Sequence, residues 1–248
     1  MSDRPAFAPP APGARPAWVE YASETLLVAL LMLAIAATTV MFEHPASWLR
    51  QALEVPITRR LVVGLAIGTV VAALSYSPWG QLSGAHLNPA VTLALARAGR
   101  HRWRRVGGYL LAQLLGALAG FALAHLLARP LLAHPEVSFA TTTFDPDTWA
   151  AAFAAEVAVT FVLMNLILGC ARSPRLQRWT GVVCGLAVVT FVVLAGPISG
   201  ASMNPVRTLA AAVGAGDLGG VWLYLTAPIV GTYLAAEVQV RLRPLPPP

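Results

Sequence analysis

Asn88 and Asn204 are the residues whose type, spacing and surroundings point to chemistry. Each sits in a near-repeat. The first is Ser83-Gly84-Ala85-His86-Leu87-Asn88-Pro89-Ala90-Val91-Thr92. The second, 116 positions later, is Ser199-Gly200-Ala201-Ser202-Met203-Asn204-Pro205-Val206-Arg207-Thr208, identical at six of the ten positions. Asparagine stands where a helix N-cap belongs. Proline follows at the first helical position, where its missing N–H is no loss. Each copy reads as an extended, glycine-containing stretch that turns into a helix. An asparagine that caps with its side-chain oxygen keeps an NH2 free to donate. The chemistry on offer is hydrogen bonding to a passing oxygen. No nucleophile–base pair or metal-ligand cluster accompanies it, so the pattern does not read as an enzyme.

The neighbouring residues extend this reading. Carbonyls of Gly84, Ala85, His86 and Leu87, and of Gly200, Ala201, Ser202 and Met203, are placed to form a ladder of acceptors. The apolar run after each motif is about ten residues, so each helix is ~15 Å long, half of a ~30 Å hydrocarbon core. Two such N-termini meeting at mid-membrane set about 1–4 kcal/mol against a cation. Arg207 falls on the first turn of the second half-helix, where a fixed charge and five donors repel cations and grip oxygens. Glu24 and Glu156 lie early in matching apolar runs and read as braces behind the motifs. Glu156 has no histidine or acidic partner at helical spacing and Glu24 has only Glu20, four residues before it, so a brace is the reading taken over a proton relay. His86 reads equally as a vestibule residue or as a structural hydrogen-bonding group. His125 has no visible partner.

The elements that must hold these residues are apolar. The 248 residues are 57% hydrophobic and 11% charged, with mean hydropathy +0.66. A soluble domain carries about a quarter charged residues. All 17 basic residues are arginine, and they lie in short connections, which does not suit a nucleic-acid surface. Cys170 and Cys184 read as small buried side chains. Six spans are expected, at about 21–42, 60–79, 106–128, 149–170, 179–196 and 221–240. The half-helices fall at about 83–98 and 199–213. If both termini are cytoplasmic, twelve arginines lie inside and five outside, as the positive-inside rule requires. Tryptophans 18, 79, 103, 149, 179 and 222 fall at or near span ends. Three spans per repeat force the second repeat to be inverted, a known way to build a mid-membrane site. Tyr109-Leu110-Leu111-Ala112-Gln113 and Tyr224-Leu225-Thr226-Ala227-Pro228 continue the repeat.

With paired Asn-Pro-Ala-type motifs in inverted repeats and an arginine after the second, the chain resembles the aquaporins, the major intrinsic protein family, over about residues 18–240. The resemblance implies an all-α membrane protein, a right-handed bundle of six transmembrane helices plus two re-entrant half-helices. Repeat one covers 18–130 and repeat two 148–240, between a disordered cytoplasmic tail at 1–17 and a second tail at 241–248. It also implies a homotetramer with one pore per protomer, passive conduction, no cofactor, and water, small neutral solutes and the lipid bilayer as partners. The motif residues are Asn88, Pro89 and Ala90, and Asn204, Pro205 and Val206, the last in place of alanine. Counted without gaps, the family's four-residue outer filter falls on Gly68, Val192, Ala201 and Arg207. A water-selective member usually has an aromatic and a histidine where Gly68 and Val192 stand. Glycerol channels usually have aspartate where Thr208 stands, and aromatics in the filter.

A channel for water and small uncharged solutes that excludes protons and ions is therefore expected. Its alternatives are a facilitator of glycerol-like polyols or metalloid hydroxides such as arsenite, silicic or boric acid, a structural or junctional protein with a closed pore, and a secondary transporter. The missing aromatic and histidine imply, through the resemblance, an unusually wide filter, and the absence of lysine and the richness in alanine, arginine and proline point to a bacterial member in the plasma membrane.

Overall fold

The computed structural model describes residues 16–242. Its helices are α1 (Ala17–Glu43), α2 (Trp48–Ala52), α3 (Pro56–Tyr76), α4 (Pro78–Ser83), α5 (Pro89–Arg97), α6 (Trp103–Leu132), α7 (Trp149–Arg172), α8 (Thr180–Ser199), α9 (Pro205–Ala215) and α10 (Val221–Leu242). Among the described residues there is no strand, and six helices (α1, α3, α6, α7, α8 and α10) are long and apolar enough to cross a membrane. The expected tails lie largely outside the described residues. Within them, Ala17 opens α1, and Arg241 and Leu242 close α10, so these three positions are helical rather than tail.

The helices are uniformly apolar because their outer faces meet lipid, so what sorts inward-facing from outward-facing positions is close packing. Small residues four apart let backbones approach. Gly116 and Gly120 of α6 lie against the backbone of Thr25 and Ala29 in α1. Gly64 and Gly68 of α3 lie against Val189 and Gly185 of α8. Gly231 of α10 sits on Val157 and Thr160 of α7. These pairs, with α7 against α8 and α1 against α3, enclose the two short helices α5 and α9. α6 runs four residues beyond its expected end through a kink at Ala128, where Pro130 supplies no N–H to the helix ladder.

One face of the bundle gathers the arginines. There Arg105 pairs with Glu20, Arg97 with Glu237 at 2.5 Å, and Arg100 Nη2 donates to the Ala171 carbonyl at 3.3 Å. This is termed the arginine-rich face. α5 returns to it from mid-bundle, while α9 runs from mid-bundle to the opposite face. Trp18, Trp79, Trp103, Trp149, Trp179 and Trp222 are all at least 47% exposed, so their rings lie outside the core as interface anchors do.

Candidate functional site

The two motifs adopt one backbone conformation twice. Gly84 and Gly200 have φ of 88° and 74°. Ala85 and Ala201 follow at 52° and 49°, and Leu87 and Met203 at 59° and 58°. Left-handed backbone at a residue with a Cβ costs about 1–2 kcal/mol. It persists here because a buried carboxylate over-determines it. Glu24 Oε1 accepts from Ser83 Oγ at 2.7 Å and His86 N at 2.9 Å, and Oε2 from Leu87 N at 2.8 Å. Glu156 does the same for Ser199 Oγ at 2.7 Å and for Ser202 N and Met203 N, both at 2.8 Å. Tyr109 Oη donates to the Ser83 carbonyl at 2.6 Å and Tyr224 Oη to the Ser199 carbonyl at 2.7 Å. With the N–H groups turned to the carboxylates, the carbonyls of these stretches are free to face the other way.

These stretches border a cavity of about 190 Å³ between the repeats. Ala85, His86 and Leu87 line it from one side, and Gly200, Ala201, Ser202 and Met203 from the other. Gly84, expected in the same ladder, is not part of the lining. The remaining wall is mostly aliphatic, with Ile35, Ile67, Val71, Leu163, Ile167 and Val188 among its members.

The two asparagines differ. Asn88 Oδ1 accepts from Ala90 N at 2.9 Å and so caps α5 as expected. Asn204 occupies the N-cap position of α9, but its side chain makes no cap bond and its Oδ1 is buried without a partner. The expectation of two identical caps is corrected accordingly. Each NH2 instead crosses to the other repeat: Asn88 Nδ2 donates to the Met203 carbonyl at 2.7 Å and Asn204 Nδ2 to the Leu87 carbonyl at 2.8 Å. One amide hydrogen per asparagine is thereby committed and one is left over. Pro89 and Pro205 open their helices as N1 residues, and Ala90 is fully buried. Val206 packs with Leu27, Val28 and Ala210 and is not part of the cavity wall, so its extra methyl groups occupy core rather than cavity.

Of the four residues expected at the outer constriction, Val192, Ala201 and Arg207 line the cavity and Gly68 does not. Gly68 is buried against Gly185, and a Cβ there would run into the Gly185 carbonyl. α3 contributes Val63, Ile67 and Val71 to the wall instead. These three recur every four residues along one line of α3, and Gly68, one position after Ile67, is rotated about 100° from that line onto the contact with α8. Val63 and Thr39, both absent from the sequence reading, lie about two turns or less from the opposite-face ends of α3 and α1. Arg207 Nη1 is buried with no hydrogen-bond partner.

His86 Nδ1 pairs with Thr92 Oγ1 at 3.0 Å, and its ring packs against both His101 and Tyr109, each with its centroid 4.7 Å away. His101, hidden in the arginine cluster of the sequence, is 6% exposed, with Nε2 unpartnered. Burial together with Arg105 and Arg102 lowers its pKa from 6.5 to about 4. Gln113 was legible only as part of the repeated Tyr-Leu-Leu-Ala-Gln stretch. It donates to Glu24 Oε2 at 2.8 Å and to Thr92 Oγ1 at 3.0 Å. His125 stacks on Phe139, with centroids 5.7 Å apart.

Six apolar spans around two opposed half-helices, with a cavity where the half-helices meet, define a channel-type, multi-pass membrane protein. The profile of the major intrinsic protein family matches residues 14–239, and the chain belongs to that family. It is 41% identical over 183 residues to aquaporin NIP1-2 of Oryza sativa subsp. japonica, a match covering 71% of this chain and 58% of that protein. It is 40% identical over 178 residues to the probable aquaporin NIP4-2 of Arabidopsis thaliana, covering 71% and 60%. The chain thus spans about three fifths of the length of these curated relatives. Its fold is similar to that of the aquaglyceroporin from Plasmodium falciparum, with TM-score 0.76, 23% identity, and coverage of 92% of this chain and 97% of that one. The expectation of a bacterial member in a bacterial membrane is overturned, because these curated relatives are plant aquaporins. Lysine content and alanine richness report amino-acid usage, which does not track descent.

Proposed function

We propose that this chain is a passive facilitator of small uncharged, hydroxylated solutes, of the glycerol-like polyol or metalloid hydroxide class, with water as a lesser passenger. The observation that supports this reading is the wall of the cavity. Val63, Val192 and Ala201 are aliphatic and of modest size, and Arg207 is the one charged group among the lining residues. A wall of this kind offers an alkyl backbone three greasy sides and offers its hydroxyls one guanidinium. An aromatic and a histidine would narrow the same place for water alone.

Deeper in, carbonyls accept from the solute and the spare amide hydrogens of Asn88 and Asn204 donate to it. The N-termini of α5 and α9 face the same point, and their dipoles with Arg207 disfavour protons and metal cations. No energy source enters this scheme. The arginine-rich face is assigned to the cytoplasm, with both termini on that side. A homotetramer with one pore per protomer is the assembly proposed, carried over from the family.

The test is stopped-flow light scattering on proteoliposomes under separate water, glycerol and arsenite gradients, with Arg207→Val as control. Fast solute flux, and a changed solute-to-water ratio in the variant, is the expected result. Fast water flux with solute flux no greater than through empty lipid overturns the proposal in favour of a water channel. No flux of any kind from folded protein favours a closed, structural role.

A further inference from the structure

The two half-helices are held differently, and the difference ends on a residue far away in the chain. Thr92 and Thr208 are equivalent positions, each four residues after its motif asparagine. In the first repeat Thr92 Oγ1 lies 3.1 Å from the Asn88 carbonyl, 3.0 Å from Gln113 Nε2 and 3.0 Å from His86 Nδ1. In the second repeat Ser202 stands for His86 and Pro228 for Gln113, so the amide donor is missing. Thr142, from the connection between α6 and α7, takes its place. Thr142 Oγ1 lies 2.6 Å from Thr208 Oγ1, and Thr208 Oγ1 lies 2.5 Å from Ser202 Oγ. All three side chains are buried.

The direction of this chain follows from counting protons. Ser202 donates to the Asn204 carbonyl at 3.2 Å, so its hydroxyl accepts from Thr208. Thr208 then has no proton for Thr142, and Thr142 must donate to Thr208. Asn204 N closes the arrangement by donating to Ser202 Oγ at 3.4 Å. Thr142 also abuts the other end of the segment. A Cβ on Gly200 would stand 3.0 Å from Thr142 Cγ2, so the threonine methyl covers the glycine that begins the carbonyl run. Its other neighbours include a cavity of about 700 Å³ at the opposite face, shared with Thr141, Phe144 and Asp217.

We infer that Thr142 is a positioning residue for the constriction: through the hydroxyl chain and its contact with Gly200 it sets the spacing between Ala201 and Arg207 and thereby tunes which solutes pass. The inference rests on the channel reading above. It makes the α6–α7 connection part of the selectivity apparatus, although Thr142 is not itself part of the cavity lining.

The experiment compares wild type, Thr142→Val and Thr142→Ser in proteoliposomes, with melting temperature and oligomer size as fold controls. It has two readouts. Hydrogen–deuterium exchange of residues 199–208 reports the tether directly. The glycerol-to-water permeability ratio reports its consequence. Valine keeps the shape and removes the donor. It is expected to speed exchange in that segment and to shift the ratio by about twofold to tenfold, the factor one hydrogen bond carries. Serine is expected to keep both near wild type. Thr142→Ala is the second variant, with the same expectation, should valine fail to fold. Wild-type exchange and ratio in both donor-lacking variants overturn the inference, and so does an equal defect in serine. If wild type conducts neither solute, the channel reading fails, and the exchange measurement alone decides the tether.

Discussion

Gly68 and Gly185 meet backbone to backbone where α3 crosses α8: a Cβ built on either runs into the carbonyl of the other. This contact fixes the rotation of α3 and hence which of its residues reach the cavity. Gly68→Ala is expected to destabilise the protein by about 1–3 kcal/mol through overpacking. Protein that still folds is expected to keep the wild-type solute-to-water ratio. Thermal unfolding in detergent, followed by flux measurement on the surviving fraction, checks both statements.

Val63 is where size should matter instead, because it lines the cavity with Val192, Ala201 and Arg207. Val63→Trp is expected to cut glycerol flux strongly while water still passes. A barrier raised by about 1.4 kcal/mol suffices for a tenfold loss. Stopped-flow traces under paired osmolyte gradients read this. A tryptophan variant that folds and passes glycerol as before would place the constriction elsewhere.

The carboxylates behind the motifs hold strained backbone. Glu24 accepts four bonds, from Ser83, His86, Leu87 and Gln113, and Glu156 accepts three. A glutamine at either site points an NH2 at backbone donors. Leaving a buried donor without its acceptor costs about 1–3 kcal/mol. Glu24→Gln and Glu156→Gln are each expected to lower the yield of folded protein and its melting temperature sharply. Unchanged melting would remove the carboxylates from the list of structural supports.

His101 gives the protein an acid sensitivity on its arginine-rich face. In the folded state its ring stays neutral down to about 4, because burial, Arg105 and Arg102 disfavour the imidazolium. An ordinary histidine, as in the unfolded chain, takes up its proton near 6.5. The unfolded state therefore binds more protons between these values, and this contribution to stability is lost progressively as pH falls from about 6.5 towards 4. Melting temperature recorded across that window is expected to fall less steeply in His101→Phe than in wild type. Parallel curves for the two proteins would show that His101 does not report the folded state.

What could be read from the residues was local or periodic. The duplicated motif, the N-cap and N1 positions, the two short helices, the six apolar runs and the matched glutamates all follow from order along the chain, because capping, helix length and hydropathy depend on neighbouring residues. The chain's own composition also excluded a soluble fold. What remained depended on rotation and on long-range contact. A count along the chain points to Gly68, and only the packing of α3 on α8 decides that Val63, Ile67 and Val71 reach the cavity instead. The unequal capping by Asn88 and Asn204, the burial of His101 against His86 and Tyr109, and the bond from Thr142 to a residue 66 positions away are likewise tertiary. A sequence specifies which groups are present and how they recur, whereas a buried polar group takes its partner from whatever the packed helices bring within hydrogen-bonding distance.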